Sequence, residues 1–379
     1  MKTRRLGKTG LEVSEIGFGG EWLERHPEEE GIELIHYASS KGINILDCWM
    51  ADPKSRDIIG KGIKDNRSEW FIQGHIGSTW KDNQYYRTRD MKYVRPAFED
   101  LLKRLQTDYI DLGMIHYIDS EEEWEQIQHS DYIDYVMELK NTGVIHHIGM
   151  SSHNPKVAVK AAESGFVEMI LFSINPAFDM LPASENIDTM FADEFDKNLK
   201  GIDPDRARLY KVCEQNDVGI TVMKGFAGGR LFDEKRSPFG VTLTPVQCIH
   251  YALTRPAVCS IMCGYDTKEQ IDEALAAGSR EAGYRIVPSR DLSGHGTEVL
   301  GIAAGNGQAS GGQYRGVASK SDILVVKIGT AGSEFAGTVE LMLALDYVIR
   351  KAMELAKPVA INLSFGNVYG SHVPYNRKS

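Results

Sequence analysis

The sequence has no long apolar run, no closely paired cysteines and no excess of positive charge. None of its apolar stretches reaches the roughly 20 residues that a membrane-spanning helix needs, and residues 1–5 lead into mixed polar residues rather than a signal-peptide core. The formal net charge of −10 argues against a general binder of nucleic acids or membrane surfaces. We therefore expect a cytoplasmic protein that acts on a small molecule.

The cysteines are too scattered to indicate a disulfide framework or a zinc or iron–sulfur site. No Cys-x-x-Cys pair occurs among the five, which are Cys48, Cys213, Cys248, Cys259 and Cys263. We expect reduced, mostly buried thiols.

Most of the chain alternates between short apolar runs and amphipathic segments with a spacing near 3.6 residues. The apolar runs lie at 13–19, 43–49, 70–77, 109–117, 147–152, 168–175, 219–225 and 258–264. The helix-like segments lie at 31–41, 55–64, 95–105, 132–141, 156–164, 205–216, 244–254 and 268–277. None of the runs has the alternating pattern of an exposed edge strand, so the predicted fold is an α/β (β/α)8 TIM barrel, preceded by a small hairpin at 4–13.

Polar residues and a glycine close the predicted strands. In chain order these are Asp47, His75, His116, Ser151 with Ser152, Asn175, Lys224 and Gly264. Because the active sites of such barrels lie at the carboxyl ends of the strands, we expect these groups to meet at one mouth. A histidine can donate a hydrogen bond to a carbonyl oxygen or transfer a proton near neutral pH, and an aspartate can orient it. Carbonyl polarisation is the chemistry this set indicates, with a metal site of Asp47, His75 and His116 as an alternative.

Several of these motifs together resemble one family. Residues 5–14 (RLGKTGLEVS), 43–47 (INILD), 104–116 (RLQTDYIDLGMIH) and 143–152 (GVIHHIGMSS) are similar to the amino-terminal hairpin, the second strand, the fourth-strand block and the following motif of the aldo-keto reductases. The resemblance covers residues 1–277, nearly the whole predicted barrel.

The resemblance implies an NADP- or NAD-dependent oxidoreductase acting on a small carbonyl or alcohol substrate. Asp47 and His116 would be two of the four catalytic positions, and Ser151 would contact the nicotinamide carboxamide. Segments 223–229 and 264–270 would face the cofactor's phosphates and adenosine. The expected cofactor-binding residues are then Ser151, Ser152, Asn175, Lys224, Gly225, Gly264, Thr267, Lys268 and Gln270.

Two catalytic positions of the family are changed. The tyrosine expected shortly after Asp47 is absent from 48–53 (CWMADP), and His75 replaces the lysine at the end of the third strand. His75 or His116 would then supply the proton, with Tyr85 and Tyr86 as further candidates. Segments 20–23 (GEWL) and 74–80 (GHIGSTW) resemble a subgroup of iron–sulfur-containing aldo-keto reductase-like proteins, but the cysteine cluster of that subgroup does not follow here.

The sequence after residue 277 does not continue the motifs of the predicted barrel. Residues 294–307 (GHGTEVLGIAAGNG) resemble the catalytic-histidine block of subtilisin-like serine peptidases, and 360–366 (AINLSFG) resemble a substrate-cleft strand. His295 would be the general base. Strands at 323–328 and 358–365 around a helix at 336–355 would form part of an open α/β sheet. The family's aspartate and serine blocks are not in the sequence, so we expect no peptidase activity.

We therefore predict a barrel over residues 1–279 and a truncated peptidase-like fragment over 280–379, with a junction near 270–277 that resembles a splice between unrelated genes. The fragment's unpaired strand edges would favour self-association. An impaired aldo-keto reductase is the first hypothesis for function. A non-catalytic fusion and a metal-dependent barrel enzyme remain as alternatives.

Overall fold

The computed structural model describes residues 1–192, 199, 201–277, 295–305, 313–326 and 338–363. Its contacts divide the chain into two compact units, Met1–Ile286 and Val287–Ser379. The domain boundary predicted at 279/280 lies outside the described residues. The proposed junction near 270–277 lies within them, but the residues that directly follow it do not. Within the described residues no helix is long and apolar enough to cross a membrane.

The first unit is a closed barrel of eight parallel strands, as predicted. Its strands are β3 (Ile16–Gly19), β4 (Ile45–Cys48), β5 (Phe71–Ile76), β8 (Ile110–Ile115), β9 (Ile145–Ser152), β10 (Met169–Ser173), β11 (Gly219–Met223) and β12 (Val258–Cys263). They follow one another around the barrel in chain order, and β12 closes on β3. The strands are apolar on both faces because side chains fill the interior while helices cover the outside.

Helices connect the strands on the outside. They are α1 (Glu28–Ser40), α2 (Pro53–Ile63), α3 (Met91–Leu105), α4 (Glu121–Ile127), α5 (Asp131–Asn141), α6 (Pro155–Glu163), α7 (Pro204–Gln215), α8 (Pro245–Leu253) and α9 (Lys268–Ala276). Local capping explains where several begin: Thr244 and Gln247 form a capping box at α8, and Thr267 caps α9. The connection between β10 and α7 is long, and its described part contains two short 3-10 helices, Phe178–Met180 and Ile187–Phe191.

Two hairpins close the ends of the barrel. Strands β1 (Thr3–Arg5) and β2 (Glu12–Ser14) pair antiparallel, as predicted, and carry Leu6 and Val13 into an apolar cluster with barrel residues such as Leu112 and Met169. A second hairpin, β6 (Ser78–Lys81) and β7 (Gln84–Arg87), follows β5 directly. This second hairpin was not predicted, and it supplies a residue of the site described below.

The second unit corrects the prediction for the tail. It contains α10 (His295–Ala304) and α11 (Thr338–Glu354), the latter close to the predicted helix. The strands predicted at 323–328 and 358–365 are wrong for the residues described, since 322–326 and 357–363 form no strand. A parallel strand is stable only when neighbouring strands satisfy its backbone groups, and the described part of this unit offers no such neighbour.

All five cysteines are free and buried. Burial raises the pKa of Cys48 and Cys213 to about 12, so their thiols stay protonated. The prediction of reduced, buried thiols is confirmed.

Candidate active site

A line of hydrogen-bonded side chains crosses the inside of the barrel near the carboxyl ends of its strands. It starts at Thr221, whose hydroxyl donates to Gln73 Oε1 at 2.7 Å. Gln73 Nε2 in turn donates to Asp47 Oδ1 at 2.8 Å. These three side chains are buried, and they hold the Asp47 carboxylate in one orientation without neutralising it.

Asp47 is followed by two histidines in direct contact. His75 Nε2 lies 3.0 Å from Asp47 Oδ1, and His75 Nδ1 lies 2.8 Å from His116 Nδ1. Both imidazoles are almost completely buried. The structure thus brings together Asp47, His75 and His116, which the sequence placed at the ends of three different strands.

Tyr85 ends the line on the solvent side. Its hydroxyl lies 2.6 Å from His116 Nε2, and its ring packs edge-on against Trp49 at a centroid distance of 5.3 Å. The Trp49 ring is also stacked on His116 at 6.1 Å. The aromatic contacts fix the phenol while leaving it partly exposed at the mouth.

The chemistry of the donors and acceptors sets the direction of every hydrogen bond in this line. An ionised carboxylate only accepts, so His75 Nε2–H donates to Asp47 and a neutral His75 must accept at Nδ1. His116 Nδ1–H therefore donates to His75, which leaves His116 Nε2 to accept from the Tyr85 hydroxyl. The Asp47–His75–His116–Tyr85 line, called the tyrosine relay below, therefore ends with the His116 Nε2 lone pair directed at the Tyr85 hydroxyl.

Two pKa shifts agree with that state. Burial, followed by the neighbouring His75 and the guanidinium groups of Arg89 and Arg87, holds the pKa of His116 well below its usual value. Burial also raises the pKa of the Tyr85 hydroxyl, so that the phenol stays protonated. Near pH 7 the relay therefore holds a phenol and a neutral imidazole.

The β6–β7 hairpin is fastened beside the relay by charge. The guanidinium groups of Arg87 and Arg89 both bind the carboxylate of Glu123, and both donate to the carbonyl of Tyr117, Arg89 at 2.9 Å. Gly77, at the junction of β5 with the hairpin, has φ +97°, and a side chain there would lie 2.7 Å from Arg89 Nη1. Only glycine allows the chain to turn here so closely to the arginine.

A second hydrogen-bonded group lies at the same mouth. His153, directly after β9, is buried; its Nδ1 lies 2.9 Å from Asp119 Oδ2, and its Nε2 lies 3.1 Å from Lys224 Nζ. The Tyr117 ring separates the two groups, with its centroid 5.3 Å from that of His116 and 5.3 Å from that of His153. We call Asp119, His153 and Lys224 the lysine relay.

Burial shifts the pKa values of this second group. The pKa of His153 is lowered to about 4, by burial first and then by the Lys224 ammonium, against the opposing effect of Asp119. Burial also lowers the pKa of Lys224, although carboxylates of Glu21, Asp119 and Asp47 oppose the shift. Burial alone would raise the pKa of Asp119, but hydrogen bonds, chiefly from His153, hold it below its usual value.

The residues expected to hold the nicotinamide end have mixed surroundings. The Ser151 hydroxyl is buried and has no hydrogen-bond partner among the described residues, whereas the Ser152 hydroxyl donates to Asp119 Oδ1 at 3.1 Å. Asn175 accepts from the backbone of Ala177 and Phe178 and donates to the Lys224 carbonyl at 2.9 Å. The side chains of Ser152 and Asn175 thus hydrogen-bond the loops that follow the strands. The Ser151 hydroxyl remains available to bind a ligand.

The residues expected near the phosphates and adenosine follow β11 and β12. Gly225 stands tightly against Ile261, whereas Gly264 has only Trp22 within reach of an added side chain, at 3.7 Å. Thr267 accepts from the Gln270 backbone, and Gln270 Oε1 accepts from the Asp266 backbone at 2.6 Å. Lys268 is partly exposed and pairs with Glu33 at 2.9 Å. Thr267 and Gln270 therefore stabilise the start of α9.

His295 is the first residue of α10, and its side chain lies outside the described part of the structure. No group of three or more histidine, cysteine, aspartate or glutamate side chains among the described residues is arranged to hold a metal. The Nδ1 atoms of His75 and His116 contact each other at 2.8 Å.

Sequence reasoning missed Gln73, Asp119 and His153. Gln73 lies two residues before His75 and therefore points to the same face of β5, and His153 directly follows the predicted serine pair. Those spacings were available as signals. The role of Tyr85 depends on the hairpin, which places a residue ten positions after His75 in contact with His116.

Family models match two overlapping parts of the chain. The chain matches the Aldo/keto reductase family over residues 15–244 and the Subtilase family over residues 141–378. The portion of the second match up to residue 277 forms barrel strands and helices in the structure.

An uncharacterized oxidoreductase of Bacillus subtilis (strain 168), YqkF, is 26% identical over 291 residues, which is 74% of this chain and 92% of that protein. The aldo-keto reductase YhdN from the same organism is 32% identical over 161 residues, 40% of this chain and 47% of YhdN. The holo form of aldo-keto reductase AKR11C1 from Bacillus halodurans has the same fold, with a TM-score of 0.57 at 22% identity over 76% of this chain and 96% of that one.

An aldo/keto reductase from Klebsiella pneumoniae, solved in complex with NADP and acetate, has a TM-score of 0.50 at 18% identity over 76% of this chain and 96% of that one. These structures establish the barrel fold, and the sequence matches establish the family. The chain therefore belongs to the aldo/keto reductase family. It also belongs to the subtilase family, whose model matches residues 141–378 and so includes the C-terminal sequence.

Proposed function

We propose that the barrel is an NADP- or NAD-dependent oxidoreductase that interconverts a small carbonyl compound and its alcohol, with Tyr85 as the group that exchanges a proton with the substrate oxygen. The observation that carries the proposal is the 2.6 Å contact between the Tyr85 hydroxyl and His116 Nε2 at the end of the tyrosine relay. The family's tyrosine after Asp47 is absent from this chain, and the β6–β7 hairpin places another tyrosine, Tyr85, next to His116.

The residues at the mouth fit a nicotinamide cofactor. The Ser151 hydroxyl, buried and without a partner, offers a hydrogen bond to an amide. Gly228 and Gly229, after β11, have positive φ, and no atom of the described residues lies within 4 Å of a side chain added at either one. A side chain added at Gly264 would meet Trp22 at an ordinary contact distance of 3.7 Å. Open backbone of this kind suits close approach of phosphate groups. Such a cofactor, when bound, supplies or accepts a hydride.

The chain's own residues would manage the proton. During oxidation the substrate hydroxyl gives its proton to Tyr85 Oη as the phenol proton passes to His116 Nε2. During reduction the movement reverses: the phenol protonates the substrate oxygen and recovers a proton from His116 Nε2. His75 and Asp47 stabilise the positive charge that forms on His116, because His116 Nδ1–H is directed to His75 and His75 Nε2–H to the carboxylate.

Basic residues give no firm preference between the two cofactors. Lys268, expected near a 2′-phosphate, is bound to Glu33 at the surface. The Klebsiella pneumoniae relative was solved with NADP, which favours testing NADPH first.

A fluorescence titration with NADPH and with NADH, followed by a panel of aldehydes and ketones, tests the proposal. We expect saturable binding that Ser151→Ala weakens by about 1 kcal/mol, the usual net contribution of one hydrogen bond. Ser260→Ala is the matched control, since its hydroxyl on β12 is also buried without a partner. Folded protein that binds neither cofactor would contradict the proposal and would favour the non-catalytic alternative.

A further inference from the structure

The lysine relay has no part in the proton exchange proposed for Tyr85, yet it has the parts of a separate reactive site. Asp119 is saturated with donors: its carboxylate accepts from the His153 backbone at 2.6 Å, from His153 Nδ1 at 2.9 Å and from the Ser152 hydroxyl at 3.1 Å. A carboxylate held this way is fixed in position and stays ionised. It therefore orients the imidazole of His153 and determines which nitrogen carries the hydrogen.

The hydrogen on His153 is located by the same argument as in the tyrosine relay. Nδ1–H donates to Asp119, so in the neutral imidazole Nε2 carries the lone pair. Lys224 Nζ lies 3.1 Å from that lone pair. The pair is therefore oriented for transfer of a proton from the lysine to His153, and such an oriented base is what activates an amine as a nucleophile.

The backbone holds Lys224 in an unusual conformation. Its φ is +57°, a left-handed value that a residue with a side chain rarely adopts. The Lys224 carbonyl is held by the Asn175 amide at 2.9 Å and by the Ala227 backbone at 2.9 Å. Non-glycine residues in this conformation concentrate at functional sites, where surrounding contacts enforce the strain. Here the strain aims a partly exposed lysine at His153.

We propose that Lys224 is an amine nucleophile that condenses with the carbonyl carbon of a small aldehyde or ketone at the barrel mouth, with His153 as its base and Asp119 as the positioning residue for His153. The product is a protonated imine (iminium) between Lys224 and the carbonyl compound. This activity is separate from the proposed oxidoreductase reaction and needs no nicotinamide cofactor.

The step balances without an oxidant or a reductant. His153 Nε2 takes one proton from the ammonium, and the nitrogen lone pair then forms a C–N bond while the π electrons of the carbonyl move to oxygen. His153 carries protons from nitrogen to that oxygen, which leaves as water when the C–O bond breaks. The ammonium loses two protons in total, both leave in the water, and His153 ends neutral.

Three carboxylates and one neutral imidazole face Lys224. Glu21 follows β3, Asp47 lies in β4, Asp119 follows β8 and His153 follows β9. Each carboxylate favours the ammonium, while burial opposes it. A protonated iminium has the same charge as the ammonium it replaces. The three carboxylates therefore stabilise the product as well as the starting state.

Reductive trapping tests the proposal on the full chain. The protein is incubated near pH 7 with propionaldehyde and sodium cyanoborohydride, and the alkylated lysines are located by peptide mass spectrometry. We expect Lys224 to be alkylated at least about tenfold faster than the partly exposed Lys268, because a positioned general base accelerates proton transfer and because burial lowers the pKa of Lys224 whereas the ion pair with Glu33 raises that of Lys268. Unfolding the chain in urea should remove the preference.

One variant separates activation of Lys224 by His153 from the intrinsic reactivity of a lysine amine. His153→Gln should slow labelling of Lys224 by about a hundredfold, as expected for loss of a general base, and move its pH dependence to higher pH. Labelling of Lys268 in the same molecules is the internal control for reagent and folding. Labelling of Lys224 no faster than of Lys268 in the wild-type chain, or equal labelling of Lys224 with and without His153, would overturn the proposal.

Discussion

At the scale of single residues, the site depends on which imidazole nitrogens carry hydrogens. The Asp47 carboxylate can only accept, and this single constraint orients His75, then His116, then the Tyr85 hydroxyl. The neutral relay is therefore prepared to receive a proton from an alcohol. To give a proton to a carbonyl compound, it must first be charged at His116.

That orientation predicts opposite pH dependences for the two directions of the reaction. The pKa of His116 lies well below its usual value, so the neutral form predominates near pH 7 and the protonated form is gained only as the pH falls. We expect carbonyl reduction to speed up as the pH is lowered from 7 toward 5, and alcohol oxidation to slow down. Pre-steady-state rates in both directions test this, and parallel profiles would contradict it.

His153 predicts a pH-dependent stability. Its pKa is about 4 in the folded chain against 6.5 normally, so the unfolded chain binds the proton first as the pH falls. The stabilisation is complete above pH 6.5 and is lost between about pH 6.5 and pH 4, by about 3 kcal/mol in total. Urea unfolding at pH 7 and pH 4.5 should show a smaller loss for His153→Gln than for the wild-type chain. An equal loss in both would contradict the assignment.

The residues at the strand ends could be predicted from the sequence because a parallel barrel brings the carboxyl ends of all its strands together. Asp47, His75 and His116 were identified in this way. Their hydrogen-bond partners could not be, since the contact of His75 with His116 depends on neighbouring strands in register, with His75 opposite Met114. The difference between the Ser151 hydroxyl, which is not hydrogen-bonded within the described residues, and the Ser152 hydroxyl, which donates to Asp119, also depends on where the fold places Asp119.

At the scale of elements, the β6–β7 hairpin completes the tyrosine relay. Its turn is made by Asp82 and Asn83, both with positive φ, a conformation typical of tight two-residue hairpin turns. Arg87 and Arg89 tie its second strand to Glu123. Tyr85 therefore lies between the turn at Asp82 and Asn83 and the ion pair of Arg87 with Glu123.

Changing the turn should therefore loosen Tyr85 without touching the barrel. Asn83→Val places a β-branched residue at φ +61° and should cost about 1–2 kcal/mol in the hairpin. We expect faster hydrogen–deuterium exchange over residues 78–87 and a lower kcat, with cofactor affinity unchanged. Asn83→Gly is the matched control and should keep both properties, because glycine accepts this φ at no cost. Equal effects of the two changes would exclude the turn as their cause.

The barrel strands were predictable because each is a continuous apolar run, whereas the hairpin was not recognised. Its residues 78–87 alternate β-forming and polar side chains around Asp82-Asn83, so the signal was present but short. Helix starts were less accurate: α1 begins at Glu28, three residues before the predicted start, since the acidic first turn is not apolar. Apolar spacing finds the buried part of a helix and misses its exposed first turn.

At the scale of the whole molecule, the barrel contains its own core. The last helix of the barrel, α9, buries Ile271 and Ala274. The N-terminal hairpin packs Leu6 and Val13 against apolar residues of the barrel interior. A chain of residues 1–277 should therefore unfold cooperatively and give the same NADPH titration as the full chain. A chain of residues 1–263, which lacks α9, is the control and should be less stable. Failure of the longer fragment to fold would contradict this independence.

The C-terminal unit is different, because its long helix leaves large apolar side chains exposed. On α11, Met342 is 64% exposed, Leu343 65% and Met353 76%. Exposed apolar area of this kind favours association. We expect the full chain, and not residues 1–277, to form concentration-dependent oligomers in light scattering. The expected association through strand edges stays a prediction, and the described segments of this unit form no strands.

The tail also marks the limit of prediction from local pattern. Residues 323–328 and 358–365 have the composition of buried strands, but composition states only that a segment suits a sheet. Whether it becomes a strand depends on neighbours that supply hydrogen bonds. The barrel provides those neighbours for all eight of its strands, and the described part of the second unit provides none.

The central claim is that Tyr85 exchanges the proton with the substrate, and single-turnover hydride transfer with NADPH bound tests it most directly. Tyr85→Phe removes only the hydroxyl, and Tyr86→Phe is the matched control because that neighbouring ring is exposed and packs against Tyr93. We predict that Tyr85→Phe slows hydride transfer at least about a hundredfold with unchanged NADPH affinity, and that Tyr86→Phe has no effect. Equal rates in the wild-type chain and Tyr85→Phe would contradict the account and return the proton to His116 or His75.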